Sequence, residues 1–254
     1  MERKKIRLTL LGTGDAGGMP RYGCDCARCQ HIRAHPEHKR RTASALLEFD
    51  DQRYLIDAGL MDIAERFPAG SLNSILLTHF HADHVQGLFH LRWGTGHKIP
   101  VHCPKDSSGC GDLFKHPGIL DFQALQKYEA FYLGDLKVTP LPLIHSKPTL
   151  GYLFEYQEQR IAYLVDTKGL PPKVEALLSN KELDALIIDT SSPPNIDNRN
   201  HNNLNETLSI HEAIKPKKTV ITHIGHDLDL WLNANADQLP ETIDAGYDGY
   251  RIFH

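Results

Sequence analysis

The sequence predicts a layered α/β fold, either an αββα sandwich or an open α/β arrangement, on three observations. Short apolar, β-branched runs outnumber helical patterns, the first half favours hairpins, and the second half alternates strand with helix. At 254 residues the chain can bury a sizeable core, so one domain over residues 1–254 is expected. Its composition, 41% hydrophobic and 24% charged, is that of a globular protein. No stretch approaches the roughly 20 apolar residues that a membrane span requires.

In order along the chain, strands are expected at Ile6 to Leu11, Ala45 to Phe49, Tyr54 to Ile56, Ser74 to Leu77, Lys137 to Leu143, Leu150 to Glu155, Ile161 to Val165, Ala185 to Ile188 and Thr219 to Thr222. Helical patterns fall at Met61 to Phe67, Val85 to Trp93, Pro172 to Leu178, Leu204 to Ile214 and Leu228 to Asn235. The basic start from Met1 to Leu11 lacks a small-residue cleavage site and reads as a first strand, which places the protein in the cytoplasm. Pro, Asn and Ser mark residues 191–200 as a long polar loop.

Composition narrows the function. A net charge of −4 argues against a protein devoted to holding nucleic acid, because that affinity comes from neutralising phosphates with Lys and Arg. Five cysteines, three of them crowded at Cys24, Cys26 and Cys29, suit metal ligation better than a disulfide framework. Sixteen histidines is the anomaly, and several stand beside Asp or close to one another.

The densest cluster is Thr78-His79-Phe80-His81-Ala82-Asp83-His84, between a strand and a helical pattern. A loop held on a rigid sheet is where catalytic groups concentrate. Four ligands within six residues cannot all address one ion from a regular element, but a bent loop can divide them. His79 and His81 would then hold one metal, Asp83 and His84 its neighbour, with Zn, Mn or Fe all suited to imidazole and carboxylate. Three aspartates, Asp57, Asp166 and Asp189, each end a predicted strand, and their local form does not distinguish them.

This HxHxDH segment resembles the hallmark of the metallo-β-lactamase superfamily, and the resemblance runs over nearly the whole chain. It implies an αββα sandwich of the metallo-β-lactamase type with two catalytic divalent metals, Mn or Zn, at the edge of the sheets. It further implies His145, Asp166 and His223 as ligands. His79, His81, His145 and Asp166 would hold one metal, and Asp83, His84, Asp166 and His223 the other, with Asp166 bridging. Asp57 and Asp189 would orient ligands or loops.

Gly12-Thr13-Gly14-Asp15-Ala16-Gly17 matches the dinucleotide fingerprint in letters only, since Gly18, Pro20 and Gly23 break any helix that would follow. The turn is expected instead to let backbone N–H groups approach a phosphate. Phosphodiesterases of the tRNA-processing branch of the superfamily carry a similar turn. Cys24, Cys26 and Cys29 suit one tetrahedral zinc in a loop at residues 20–40. For its fourth ligand His31, His35 and His38 compete with His226, which is preferred because it clamps the loop from the far end of the chain.

CxCxxC together with HxHxDH resembles the PhnP-type cyclic phosphodiesterases of phosphonate catabolism. The segments from Gly87 to Gly94, from Asp112 to Gly118 and from His145 to Lys147 resemble them too. That resemblance implies a small phosphodiester substrate, by analogy 5-phosphoribosyl 1,2-cyclic phosphate going to ribose 1,5-bisphosphate, and a homodimer. It implies His201 as general acid, counted with Asp83 as catalytic. Two other expectations stand beside this one: a tRNA-processing endoribonuclease, and a non-catalytic metal-binding protein of the same fold.

Overall fold

The computed structural model describes residues 5–252. Strands β1 (Arg7–Gly12), β2 (Ser44–Phe49), β3 (Gln52–Ile56), β4 (Ser74–Leu76), β5 (Ile99–Pro104) and β6 (Leu120–Leu125) lie side by side in that order. A second sheet follows, built from β7 (Phe131–Leu133), β8 (Leu136–Pro142), β9 (Leu150–Tyr156), β10 (Gln159–Leu164), β11 (Ala185–Asp189), β12 (Lys218–Thr222) and β13 (Ile243–Ala245). The last strand, β14 (Arg251–Ile252), returns to the first sheet beside β1. Both sheets are mixed. Pairing is antiparallel from β14 through β3 and from β7 through β10, then parallel from β3 to β6 and from β10 to β13.

Local chemistry accounts for the elements. Asp50 and Asp51 take positive φ of 51° and 60°, which makes the two-residue turn that matches strand twist, and Phe49 faces Gln52 across it. Helices α1 (Ala27–Ala34), α2 (Ile63–Arg66), α3 (Ala82–Val85), α4 (Leu88–Leu91) and α5 (Gly111–Lys115) belong to the first half, and α6 (Pro172–Ser179), α7 (Leu204–Ile214) and α8 (His226–Ala234) to the second. A capping box starts α7, with the Asn203 side chain accepting from the Glu206 N–H and Glu206 accepting in return.

The expected single helix from Val85 to Trp93 is two short ones, α3 and α4, joined at Gly87. There the backbone passes so close to Leu60 that an added Cβ would lie 2.2 Å from its carbonyl oxygen. Strands β5, β6, β7, β13 and β14 were not expected. Prolines at 100 and 104 interrupt the apolar pattern of β5, β6 is half exposed at an edge, and the others are two or three residues long.

The two sheets pack face to face. Tyr152, Tyr163, Phe154, Phe49 and the aliphatic residues of β1, β2 and β8 fill the layer between them. The outer face of the first sheet buries Leu55, Ile75, Leu77 and Val101 against Ile63 of α2, Leu88 of α4 and Leu113 of α5. Leu153, Leu164, Leu186 and Ile188 of the second sheet pack against Val174 and Leu178 of α6 and Ile210 and Ile214 of α7. This is the αββα sandwich, and it leaves the C-terminal ends of the parallel strands facing one edge, where ligands bind in such sheets.

Candidate metal-dependent active site

The loop after β4 carries His79, His81, Asp83 and His84 onto that edge, and the segments after β8, β10 and β12 bring His145, Asp166 and His223 to meet it. Asp57, Asp166 and His223 all hold left-handed backbone, with φ of 57°, 64° and 57°. Each strand therefore turns sharply at its end, aiming a side chain that extended backbone would have carried past the site.

Two groupings result. His79 Nε2 lies 2.8 Å from His81 Nδ1, which lies 3.1 Å from His145 Nε2. Asp166 Oδ1 stands 4.0 Å from His79 Nε2 and 3.4 Å from His145 Nε2. On its other side, Asp166 Oδ2 is 2.9 Å from His84 Nε2 and 3.5 Å from His223 Nε2, and Asp83 Oδ2 is 3.2 Å and 3.6 Å from the same two nitrogens. Asp166 thus presents one oxygen to each grouping.

Converging imidazole nitrogens need either a shared proton or a cation between them. His84 Nε2, His223 Nε2 and Asp166 Oδ2 are buried yet have no hydrogen-bond partner of acceptable geometry. These residues fit divalent metals. The titration behaviour carries the same message. Burial drives His84 toward the neutral form, but Asp166 and Asp57 outweigh it and hold its pKa well above the usual value, while against the same burial His223 is raised to about 9 by Asp166 and Asp83. Burial, with His84 beside it, holds His79 well below its ordinary value. The carboxylates around His84 and His223 call for positive charge, which a bound cation would supply with both imidazoles neutral.

The remaining aspartates hold the ligands from behind. Asp57 accepts from the Thr78 N–H at 2.7 Å and the Thr78 hydroxyl at 2.8 Å, and its Oδ2 lies 2.8 Å from His84 Nδ1. A proton on that Nδ1 frees Nε2 as a ligand. Asp189 Oδ2 accepts from the Thr167 N–H and lies 2.8 Å from His201 Nδ1. Its Oδ1 accepts from the Ser191 hydroxyl, which lies 2.9 Å from His223 Nδ1. His145 Nδ1 is 3.2 Å from the Asn200 carbonyl, an orienting contact that residue type could not have signalled.

His201 stacks on His223 with ring centroids 4.8 Å apart, and its Nδ1 is 3.6 Å from Asp166 Oδ1. Asp166, His201 and His223 also form a grouping compact enough for a metal. The polar loop therefore brings His201 to the site, where it can serve as proton donor or as ligand.

Cys24, Cys26, Cys29 and His226 converge with all four ligand atoms within 4.8 Å of one another. His226 Nδ1 is held 2.8 Å from Asp227, which leaves Nε2 facing Cys24 and Cys26 at 3.4 and 3.5 Å. The Cys29 N–H and His226 pull the Cys26 thiol down to about 6, as a metal-binding thiolate requires. The local candidates stay apart: His31 stacks with His35 and His38 at 4.4 and 5.0 Å on the surface. Asp229, one turn beyond His226 on α8, accepts from Arg28 Nε and Arg40 Nε at 2.7 Å each. The sequence reading missed this clamp, though the three-residue spacing from His226 signals a shared helix face.

One expectation is corrected. The glycine turn does not cradle a phosphate with its Thr13, Gly14, Asp15 and Gly17 N–H groups, which are committed within the protein. Thr13 N–H donates to Asp248, Gly14 N–H to the Arg41 carbonyl, Asp15 N–H to the Ile224 carbonyl, and the Gly17 and Gly18 N–H groups to Asp15 Oδ1. The glycines serve close packing instead, since a Cβ on Gly12 would meet the Thr42 carbonyl at 2.0 Å.

Residues 52–224 match the family model of the β-lactamase superfamily domain. A solved diphosphatase of the PhnP family superposes with a TM-score of 0.83 at 30% identity, over 97% of this chain and 96% of that one. An octanoyltransferase of Porphyromonas gingivalis is 29% identical over 261 residues, covering 96% of this chain and 51% of its own, so the chain spans about half the length of that relative. Coenzyme PQQ synthesis protein B of Methylobacterium radiotolerans is 26% identical over 72% of each chain.

Proposed function

This chain belongs to the metallo-β-lactamase superfamily as a PhnP-like hydrolase, and from that premise we propose that it is a binuclear metal-dependent phosphodiesterase acting on a small cyclic phosphodiester. The observation that carries the proposal is the pair of ligand groupings shared through Asp166, beside a cavity of about 290 Å³ that His201 and His223 line. That volume suits a sugar phosphate. The substrate we assign is 5-phosphoribosyl 1,2-cyclic phosphate, opened to ribose 1,5-bisphosphate.

His79, His81, His145 and Asp166 would hold one metal, and Asp83, His84, His223 and Asp166 the other. Divalent ions held there would supply Lewis acidity at the phosphoryl group and activate water as the nucleophile. The chain's own residues do the rest. Asp57 fixes the proton on His84 Nδ1, Asp189 orients His201, and His201 delivers a proton to the leaving oxygen. Cys24, Cys26, Cys29 and His226 would hold a structural zinc, fixing the N-terminal loop beside the site.

The test is one panel on purified, metal-reconstituted protein: the ribosyl cyclic phosphate, a nucleoside cyclic phosphate, a nucleoside diphosphate, precursor tRNA and an octanoyl thioester. The diphosphate and the thioester follow from the names of the two similar proteins. The highest kcat/KM is expected on a cyclic diester. Preferred cleavage of precursor tRNA would make the protein an endoribonuclease, and preferred thioester cleavage would end the phosphodiester reading. A dialysed protein inactive on all five with Mn, Ni, Zn and Co would be a binding protein of this fold.

A further inference from the structure

Helix α1 carries chemistry on two sides. Cys29 and Ile32 turn inward and are buried with Met19, while His31, His35 and His38 lie on the exposed side. Their spacing of four and then three residues sets successive side chains above one another on a helical face. The α-helix stops before Pro36, but a 3₁₀ turn over Pro36–His38 keeps the progression. The His35 N–H donates to the His31 carbonyl at 2.9 Å and the His38 N–H to the His35 carbonyl at 3.0 Å. The rings gather as a result. Centroid to centroid, His31 lies 4.4 Å from His35 and 5.0 Å from His38, and His35 lies 6.0 Å from His38.

His31 Nε2 stands 2.9 Å from His38 Nδ1. A metal–imidazole bond is about 2.0–2.1 Å long, so two adjacent nitrogens on one ion stand roughly 3 Å apart, the separation this pair already has. His35 Nδ1 is 3.4 Å from Glu37 Oε1. A carboxylate behind one ring nitrogen fixes the proton there and leaves Nε2 as the ligand atom, as Asp227 does for His226. The His35 ring is exposed, so turning that nitrogen toward the other two disturbs no packing. Nearby arginines are directed elsewhere: Arg28 and Arg40 to Asp229, Arg41 to Asp248, and Arg33 to the Arg21 carbonyl. Three imidazoles with no thiolate among them suit Zn(II), Ni(II) or Cu(II).

We infer that His31, His35 and His38 form a separate surface site for a divalent transition-metal ion, with zinc as the ion assigned. Three imidazoles on an exposed face leave one position to water, so the ion exchanges. The cysteine set at the start of the same helix differs, because Cys24, Cys26, Cys29 and His226 complete a tetrahedron and leave no open position. None of the three histidines belongs to the metal edge, so the site stands whether or not the protein cleaves phosphodiesters.

The test is equilibrium dialysis of the full chain against buffers of stepped free Zn(II), with bound zinc counted by atomic emission. Wild type is compared with His31→Ala, His38→Ala and, as a control at an exposed histidine elsewhere on the surface, His97→Ala. One more equivalent is expected in wild type and in His97→Ala than in His31→Ala or His38→Ala, whatever the other ligand sets hold. Glu37→Gln should keep that equivalent but bind it about 10-fold more weakly, because the carboxylate behind His35 is lost. His35→Ala should weaken it at least as much. Thiol titration, expected to be the same in every variant, shows that the missing ion is not the one on Cys24, Cys26 and Cys29. Equal zinc counts in wild type and His31→Ala would overturn the inference and leave the three rings as a hydrogen-bonded surface stack. So would an equivalent loss in His97→Ala, or newly reactive thiols that account for the lost ion. Zinc affinity unchanged in His35→Ala would overturn the three-histidine set.

Discussion

Asp57, Asp166 and Asp189 have the same local form, each at the end of a buried strand, yet they face three different ways. Asp166 stands between the two ligand groupings, Asp57 supports His84 from behind, and Asp189 supports His201 and, through Ser191, His223. Asp57→Asn keeps the shape but weakens the hold on the His84 Nδ1 proton. Metal affinity is expected to fall about 10- to 100-fold, read by activity against free metal in a buffered titration. His201→Ala separates its two possible duties. As a proton donor it should cost roughly 10²–10⁴ in kcat on an alkyl leaving group and far less on an activated aryl diester, with metal content unchanged. Loss of one equivalent of metal on purification would identify it as a ligand. Much of this site was legible in advance, because four ligand types in six residues at a strand end have few other uses. What residue identity could not provide was direction: which aspartate bridges depends on which strand neighbours which, and the Asn200 carbonyl and Ser191 hydroxyl belong to a polar loop whose path is set by tertiary packing.

At the level of elements, the cysteine loop and α8 form one clamp. His226 and Asp229 project from the same face of α8, the first toward three thiols and the second, 1% exposed, between Arg28 and Arg40. Asp229→Ala would leave two largely buried guanidinium groups without their counter-charge, and a loss of about 3–5 kcal/mol is expected in chemical denaturation. Arg28→Ala should cost less, since Arg40 keeps the carboxylate paired. The elements that sequence pattern located well, β1 to β4, β8 to β12, α6 and α7, each have a continuous apolar run or a cap such as Asn203 with Glu206. Those it missed lie where the signal is weak: β5 is bounded by prolines, β6 shows a half-exposed edge, and the single helix expected after His84 is interrupted at Gly87, whose N–H donates to the Ala58 carbonyl. The glycine turn misled for a related reason, because its pattern reports close packing and does not say what packs against it.

For the molecule as a whole, the metal edge is where the two sheets meet, and ligands come from both, His79 to His84 from the first and His145, Asp166 and His223 from the second. Metal binding therefore ties the halves together, and by linkage free metal at about 1,000 times its Kd adds about 4 kcal/mol of stability. For a chain of this size that is roughly 8–16 °C in Tm, measured by calorimetry with and without chelator. A Tm insensitive to chelation would mean that the groupings do not bind metal in solution. The left-handed backbone at Asp57, Asp166 and His223 has a consequence for what each corner can hold. Each of these residues holds its place at a cost of order 1 kcal/mol that glycine would not incur. Asp166→Gly would relieve that cost but also remove the carboxylate that holds His84 and His223 charged, so stripped of metal it should melt below wild type, and it should have no activity. Placing a carboxylate or an imidazole at these three corners thus gives up backbone ease for the chemistry of the edge.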